Sequence, residues 1–213
     1  LPDAMHVGPL GIFLITAGSV LWELCEEGCF GAAGEISTWK EDLTSRLKQA
    51  YSEFCTFFRS KGKSCTQQIF TVSRLSMNKK SDRPVLKAKA ANAMLVVEWL
   101  ADCCYRQAEA QPDNKYASQR ATMLWGLTSV YAIWRQSPMW LTPEARQSLV
   151  APRDAFFGMY INELSTQAKA RRKPLYVVLP KHHMLDHMVR HCLETGLNPV
   201  SYTHLRAHET SNH

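Results

Sequence analysis

Apolar residues recur along this chain at helical rather than strand spacing. From Val7 to Trp22 the sequence carries no charge, and its apolar positions describe a buried helix. Glu26 to Gly34 then holds three glycines and reads as a loop. Thr38, with Glu41 three residues on, forms a capping box. Behind it Leu43, Leu47, Ala50, Tyr51, Phe54 and Phe58 follow at helical spacing up to a stop at Ser60-Lys61-Gly62-Lys63. Ile69 to Leu75 is short and β-branched, compatible with a strand or with a helical turn, and Asn78 to Pro84 is a polar loop. Ala90, Ala91, Met94, Leu95, Val97, Leu100, Ala101 and Cys104 predict a strongly apolar helix ending before Gln111-Pro112-Asp113-Asn114. Leu124, Leu127, Thr128, Tyr131 and Trp134 predict its partner, from about Lys115 to Gln136. Thr142-Pro143-Glu144 opens a further helix through Leu149, Phe156, Tyr160 and Leu164 to about Lys169, with Pro152 as a kink or break. Leu175 to Leu179, bounded by Pro174 and Pro180, reads as a buried strand or as an extended linker. A last helix spans about Lys181 to Glu194 and stops at Gly196, which suits the left-handed C-terminal position. The expected fold is mainly α, a multi-helix bundle with at most one or two short strands.

Composition narrows the class without naming a function. The 213 residues carry 25 Lys and Arg against 19 Asp and Glu, a net charge of +6, on a chain that is 46% apolar with six Trp and eight Phe. That is enough for a packed core and excludes wholesale disorder. Cys25, Cys29, Cys55, Cys65, Cys103, Cys104 and Cys192 lack the even spacing of a secreted scaffold, so reduced, intracellular thiols are expected. The uncharged run is shorter than the roughly 20 residues of a membrane span and contains Gly8, Pro9, Gly11 and Gly18. A core helix is therefore expected rather than a membrane anchor. The lead before it carries only Asp3, without the basic residues of an export signal.

Three constellations could carry chemistry. His183, His187 and His191 recur every fourth residue on the last helix, which permits a metal site. Met184, however, stands where a metalloprotease helix needs its Glu, and the apolar face centred on Leu185, Met188 and Cys192 leaves His183 opposite it. These histidines read first as surface residues, with His183 and His187 the weak metal candidates. Cys25-x3-Cys29 combined with His183-x3-His187 has zinc ligand types, but the halves are too distant in sequence for a compact finger. Basic residues cluster at Lys79, Lys80, Arg83, Lys87 and Lys89, and again at Lys169, Arg171, Arg172, Lys173 and Lys181. Either cluster could neutralise DNA phosphates, or serve as solvated loop and helix C-terminus. Trp22, Trp39, Trp99, Trp125, Trp134 and Trp140 could stack on bases, but five of the six lie in or beside apolar helical patterns and read as core.

The two ends resemble known sequences. Val200 to Thr210 resembles one reading frame of the adapter used in transposon-based sequencing libraries, so residues 200–213 are expected to be a non-native tail and the native part to end near Pro199. Dropping the tail leaves the net charge unchanged, because Arg206 and Glu209 cancel. At the other end Asp3-Ala4-Met5-His6, followed by Gly11 and Gly18 to Leu21, resembles the D-x-M-H segment of eukaryotic cut-and-paste transposases of the CACTA and Plavaka type. Pro180-Lys181-His182-His183 with His187, then Gly196 to Pro199, resembles their P-K-x-H-x-x-x-H and G-x-P run. The resemblance covers only these two segments. It implies a fragment of a nuclear, DNA-binding protein: a core edge (1–24), a helical domain (25–174) and a His-rich closing segment (175–199), together forming the helical insertion of an RNase H-like core. It implies Mg2+ or Mn2+ in the whole enzyme, held by acids lying before Leu1 and just beyond Pro199, so this chain alone would be inactive and would depend on missing parts of its own chain. Asp3 and His6 are the positions carried over, as core-supporting residues, and Asp3 reads equally as a helix-capping carboxylate. Asp186 and Glu194 fall outside the family's acid motif. If the middle is an insertion, the two motif-bearing ends must pack side by side. The alternative is a helical interaction or scaffold domain without catalytic history.

Overall fold

The computed structural model describes residues 3–31, 38–62 and 66–200. Among these it is a multi-helix bundle without a strand, and an isolated antiparallel bridge joins Trp140 to Leu197. Helix α1 (Ala4–Glu26) contains a π-helical turn at Gly8–Ile12. Pro9 lies in that turn; it has no N–H to donate, and the widened turn absorbs the defect without ending the helix. Helix α2 (Trp39–Ser60) opens on the expected capping box, the Thr38 hydroxyl oxygen accepting from the Glu41 amide while the Glu41 carboxylate accepts from the Thr38 amide at 3.0 Å. Helices α3 (Ala90–Ala110) and α4 (Lys115–Gln136) follow, then the short α5 (Pro143–Gln147). Helix α6 occupies 150–170 as Val150–Phe157, a π-helical stretch Gly158–Leu164, and Ser165–Ala170. Helix α7 (Pro180–Thr195) ends on Gly196, left-handed at φ 79°.

Helix α4 packs against both α3 and α6, α1 packs on α3, and α7 meets the start of α1. One apolar cluster runs through all of them from Ala4 to Cys192. Trp99 is fully buried, with the rings of Phe30, Phe54 and Phe70 at 5.6, 5.6 and 5.9 Å. Such pairs add roughly 0.5–1.5 kcal/mol each beyond burial.

The structure corrects three expectations and decides two alternatives. At residues 175–179 the linker is realised rather than the strand, because Tyr176 takes a left-handed φ of 49° and its amide donates to the Ser19 hydroxyl at 3.2 Å. The segment is the extended linker, bent once. The break in the fifth helical pattern falls at Ser148 and Leu149 instead of Pro152, which sits in the first turn of the next helical stretch where its missing N–H costs nothing. Trp125, inside the α4 pattern, is 50% exposed rather than core, while Trp140, in the connection between α4 and α5, is 57% exposed. Finally, α1 is longer than its uncharged run and is long and apolar enough to cross a bilayer; 78% of its most apolar window is buried within the bundle. Of the alternatives at Ile69 to Leu75, the turn is realised, with the Leu75 amide donating to the Thr71 carbonyl at 2.9 Å. Residues 1–2, 32–37, 63–65 and 201–213, and with them the expectations for Ala32 to Gly34, Lys63, Cys65 and the adapter-like tail beyond Val200, lie outside the described residues.

Candidate nucleic-acid interface

The C-terminal end of α1 presents carboxylates on one face, and the basic segment after α6 closes over them. Glu23 is 2% exposed and is met by four side chains from two elements, α4 and the 171–176 segment. The Tyr116 hydroxyl donates to Oε1 at 2.6 Å and Arg171 at 2.9 Å, while the Tyr176 hydroxyl donates to Oε2 at 2.5 Å and the Arg120 guanidinium lies at 3.5 Å. Arg120, fully buried, grips Glu27 with two hydrogen bonds of 2.8 and 2.6 Å and donates to Gln107 at 2.8 Å. Burial works against the Arg120 charge, but the Glu27 carboxylate more than offsets it and lifts the guanidinium above its usual range. Burial first, then the Glu23 charge, pushes the Tyr116 and Tyr176 phenols up, so both remain donors. Two carboxylates and two guanidiniums balance, and the network ties α1, α4 and the 171–176 segment together. Sequence reasoning missed it; the available signal was Glu23 itself, the first charge after an otherwise apolar run.

The basic residues of 171–173 divide by direction. Arg171 reaches inward to Glu23, and Lys173 reaches Glu26 at 2.5 Å while lying 4.7 Å over the Trp22 ring. Between them Arg172 takes a left-handed φ of 54° and is exposed. It occupies the position after the helix cap, where the Lys173 amide donates to the Ala168 carbonyl and the Arg172 amide to the Lys169 carbonyl, both at 2.9 Å. Glycine is the usual occupant of that position, since it carries no penalty there. From the other side comes Lys80, 3.6 Å from Glu26. Its loop is pinned by Asp82, whose carboxylate accepts from the amides of Asn78 at 2.7 Å and Lys79 at 2.9 Å. These backbone bonds, that of Lys79 first, hold the Asp82 carboxyl below the usual range. Lys80, Ser81, Arg172, Lys173, Pro174 and Trp22 thus line one open depression. The two basic clusters, remote in sequence, meet around Glu26.

Not every predicted contact residue is free. Arg171 is committed to Glu23 and Tyr116, and Lys181 donates to the carbonyls of His6 at 2.8 Å and Leu10 at 3.3 Å, stitching α7 to α1. Lys79, Arg83, Lys87, Lys89, Lys169 and Arg172 are exposed and make no ion pair among the described residues.

Asp3 caps α1, accepting from the Met5 amide at 2.8 Å and pairing with His6 Nδ1 at 2.6 Å. Slight burial pushes its carboxyl up, but the bonds from His6 and Met5 prevail and hold it below the usual range. Within the second motif, His182 is buried against Phe156 and Tyr160, its Nδ1 accepting from the Leu179 amide at 3.0 Å. His183 and His187 are exposed neighbours, and His191 is half-buried. Cys25 is buried, its thiol pushed up by burial, and the Cys-His combination does not assemble: among the described residues no group of three or more His, Cys, Asp or Glu is placed to hold a metal. Comparison with protein-family models, curated proteins and solved structures gives no match.

Proposed function

We propose that this chain is the helical part of a larger transposase-like protein and that it contacts the DNA backbone through the face around Lys80 and Arg172. The observation that carries the proposal is the convergence of two sequence-distant basic clusters on one depression, where the α6 cap leaves Arg172 exposed and without an ion pair among the described residues. A guanidinium held there suits a phosphate, and phosphate contacts supply most nonspecific affinity for duplex DNA.

A second observation supports the lineage. The D-x-M-H and P-K-x-H segments lie side by side through Lys181 and the His6 and Leu10 carbonyls, as neighbours flanking an insertion must. The residues present do not fit a two-metal centre: Asp3 is spent on a helix cap, and Asp186 is paired with Arg153 and Arg190. No catalysis is assigned to this chain; Mg2+ or Mn2+ would be held by acids elsewhere in the parent protein.

Charge reversal at Lys80 and Arg172 is expected to weaken binding to a fluorescent DNA duplex severalfold more than reversal at the exposed Lys48 and Arg59 on α2, which changes the net charge equally. Equal losses for both pairs would remove the site. Recovery of the full transcript tests the lineage separately, since it requires acids upstream of Leu1 and soon after Pro199.

A further inference from the structure

His183 and His187 stand on the exposed side of α7 with their Nε2 atoms 2.8 Å apart and their rings edge to face at 4.2 Å between centroids. Neither imidazole pairs with a carboxylate among the described residues. Asp186, which lies between them in sequence, is turned away to Arg153 at 2.5 Å and Arg190 at 2.8 Å. The α7 backbone is fixed beneath them by Leu185, Met188 and Cys192, all buried in the core. Two ring nitrogens therefore face each other on a rigid element with open solvent around them.

We infer that His183 and His187 form a two-imidazole binding site for a late divalent transition metal, of the Ni2+ or Cu2+ class. With metal–nitrogen bonds of about 2.0–2.1 Å, two ligands at a right angle stand about 2.8–3.0 Å apart, whereas tetrahedral ligands stand about 3.3–3.4 Å apart. The 2.8 Å set by the hydrogen bond between the rings is compatible with the right-angle arrangement of tetragonal and octahedral sites, and imidazole nitrogens suit Ni2+ and Cu2+. The ion takes the place of the Nε2–H···Nε2 hydrogen bond: the donor ring carries its proton on Nδ1 instead, so both imidazoles bind as neutral ligands through Nε2, and water fills the remaining positions. This site is independent of the proposed DNA face and stands or falls without it.

Calorimetric titration of the whole chain with Ni2+, which does not oxidise the free thiols, tests the assignment against other metal-binding groups such as the histidines of residues 204–213. The His183→Ala/His187→Ala double variant is expected to bind one equivalent fewer than the parent, with helicity unchanged by circular dichroism because both side chains are exposed. Each single variant should weaken that equivalent by roughly tenfold or more, while His191→Ala should leave it intact. Unchanged stoichiometry and affinity in the double variant, or no Ni2+ binding by the parent, would overturn the site.

Discussion

Glu23 and Arg120 are both shut away from water, and their partners explain why the molecule tolerates them. Removing one member of such a set strands the others, at a cost of about 3–5 kcal/mol. Glu23→Ala is expected to lower unfolding free energy by that amount in urea denaturation, and Tyr176→Phe, which removes one donor, by about 1–2 kcal/mol. A loss below about 1 kcal/mol for Glu23→Ala would mean the network does not hold the fold. His182 offers a pH test. Burial lowers its pKa from 6.5 to about 4, so the unfolded chain binds more protons between those values and stability falls as pH drops from about 6.5 to about 4. The full effect is on the order of 3 kcal/mol. His182→Asn should flatten the dependence of the urea midpoint in that window; an unchanged slope would assign it to other groups. Arg172→Gly should relieve the left-handed strain and stabilise the chain by up to about 1 kcal/mol while weakening DNA binding. None of these partnerships was legible in sequence, because Arg171 and Tyr176 reach Glu23 across most of the chain's length.

The helices themselves were largely legible. Capping chemistry at Thr38, the Pro112 region between α3 and α4, and Gly196 after α7 are local signals, and local signals set helix ends. What escaped was tertiary. Leu175 to Leu179 carries strand-forming residues, but the hydrogen bonds of Tyr176 to Ser19 and Glu23 impose a bend that no propensity encodes. Helix contacts were equally hidden. A Cβ on Gly18 would sit 2.5 Å from the Pro84 carbonyl oxygen, and one on Gly126 2.5 Å from that of Pro152. Gly126→Ala should therefore cost about 1–3 kcal/mol by forcing α4 from α6, whereas Gly158→Ala, with open space around it, should be neutral or slightly stabilising. Thermal melts decide this; a stabilised Gly126→Ala would refute the close approach.

Across the molecule, the side-by-side packing of the two motif segments and the gathering of both basic clusters at one end of α1 arise from the same event, the return of the 171–181 segment onto α1. The clusters were visible as runs of Lys and Arg. Their division into structural and free cations was not, because the deciding carboxylates and carbonyls lie on a different helix. The exposed set around Lys80 and Arg172 makes the DNA proposal quantitative. Each neutralised phosphate contributes about −0.9 to the slope of log affinity against log salt concentration. Measured for a nonspecific duplex, the parent is expected to show a slope of about −3 to −5, and the Lys80→Ala/Arg172→Ala variant a slope shallower by about 2. Binding that ignores salt, or a slope the variant leaves unchanged, would contradict the account.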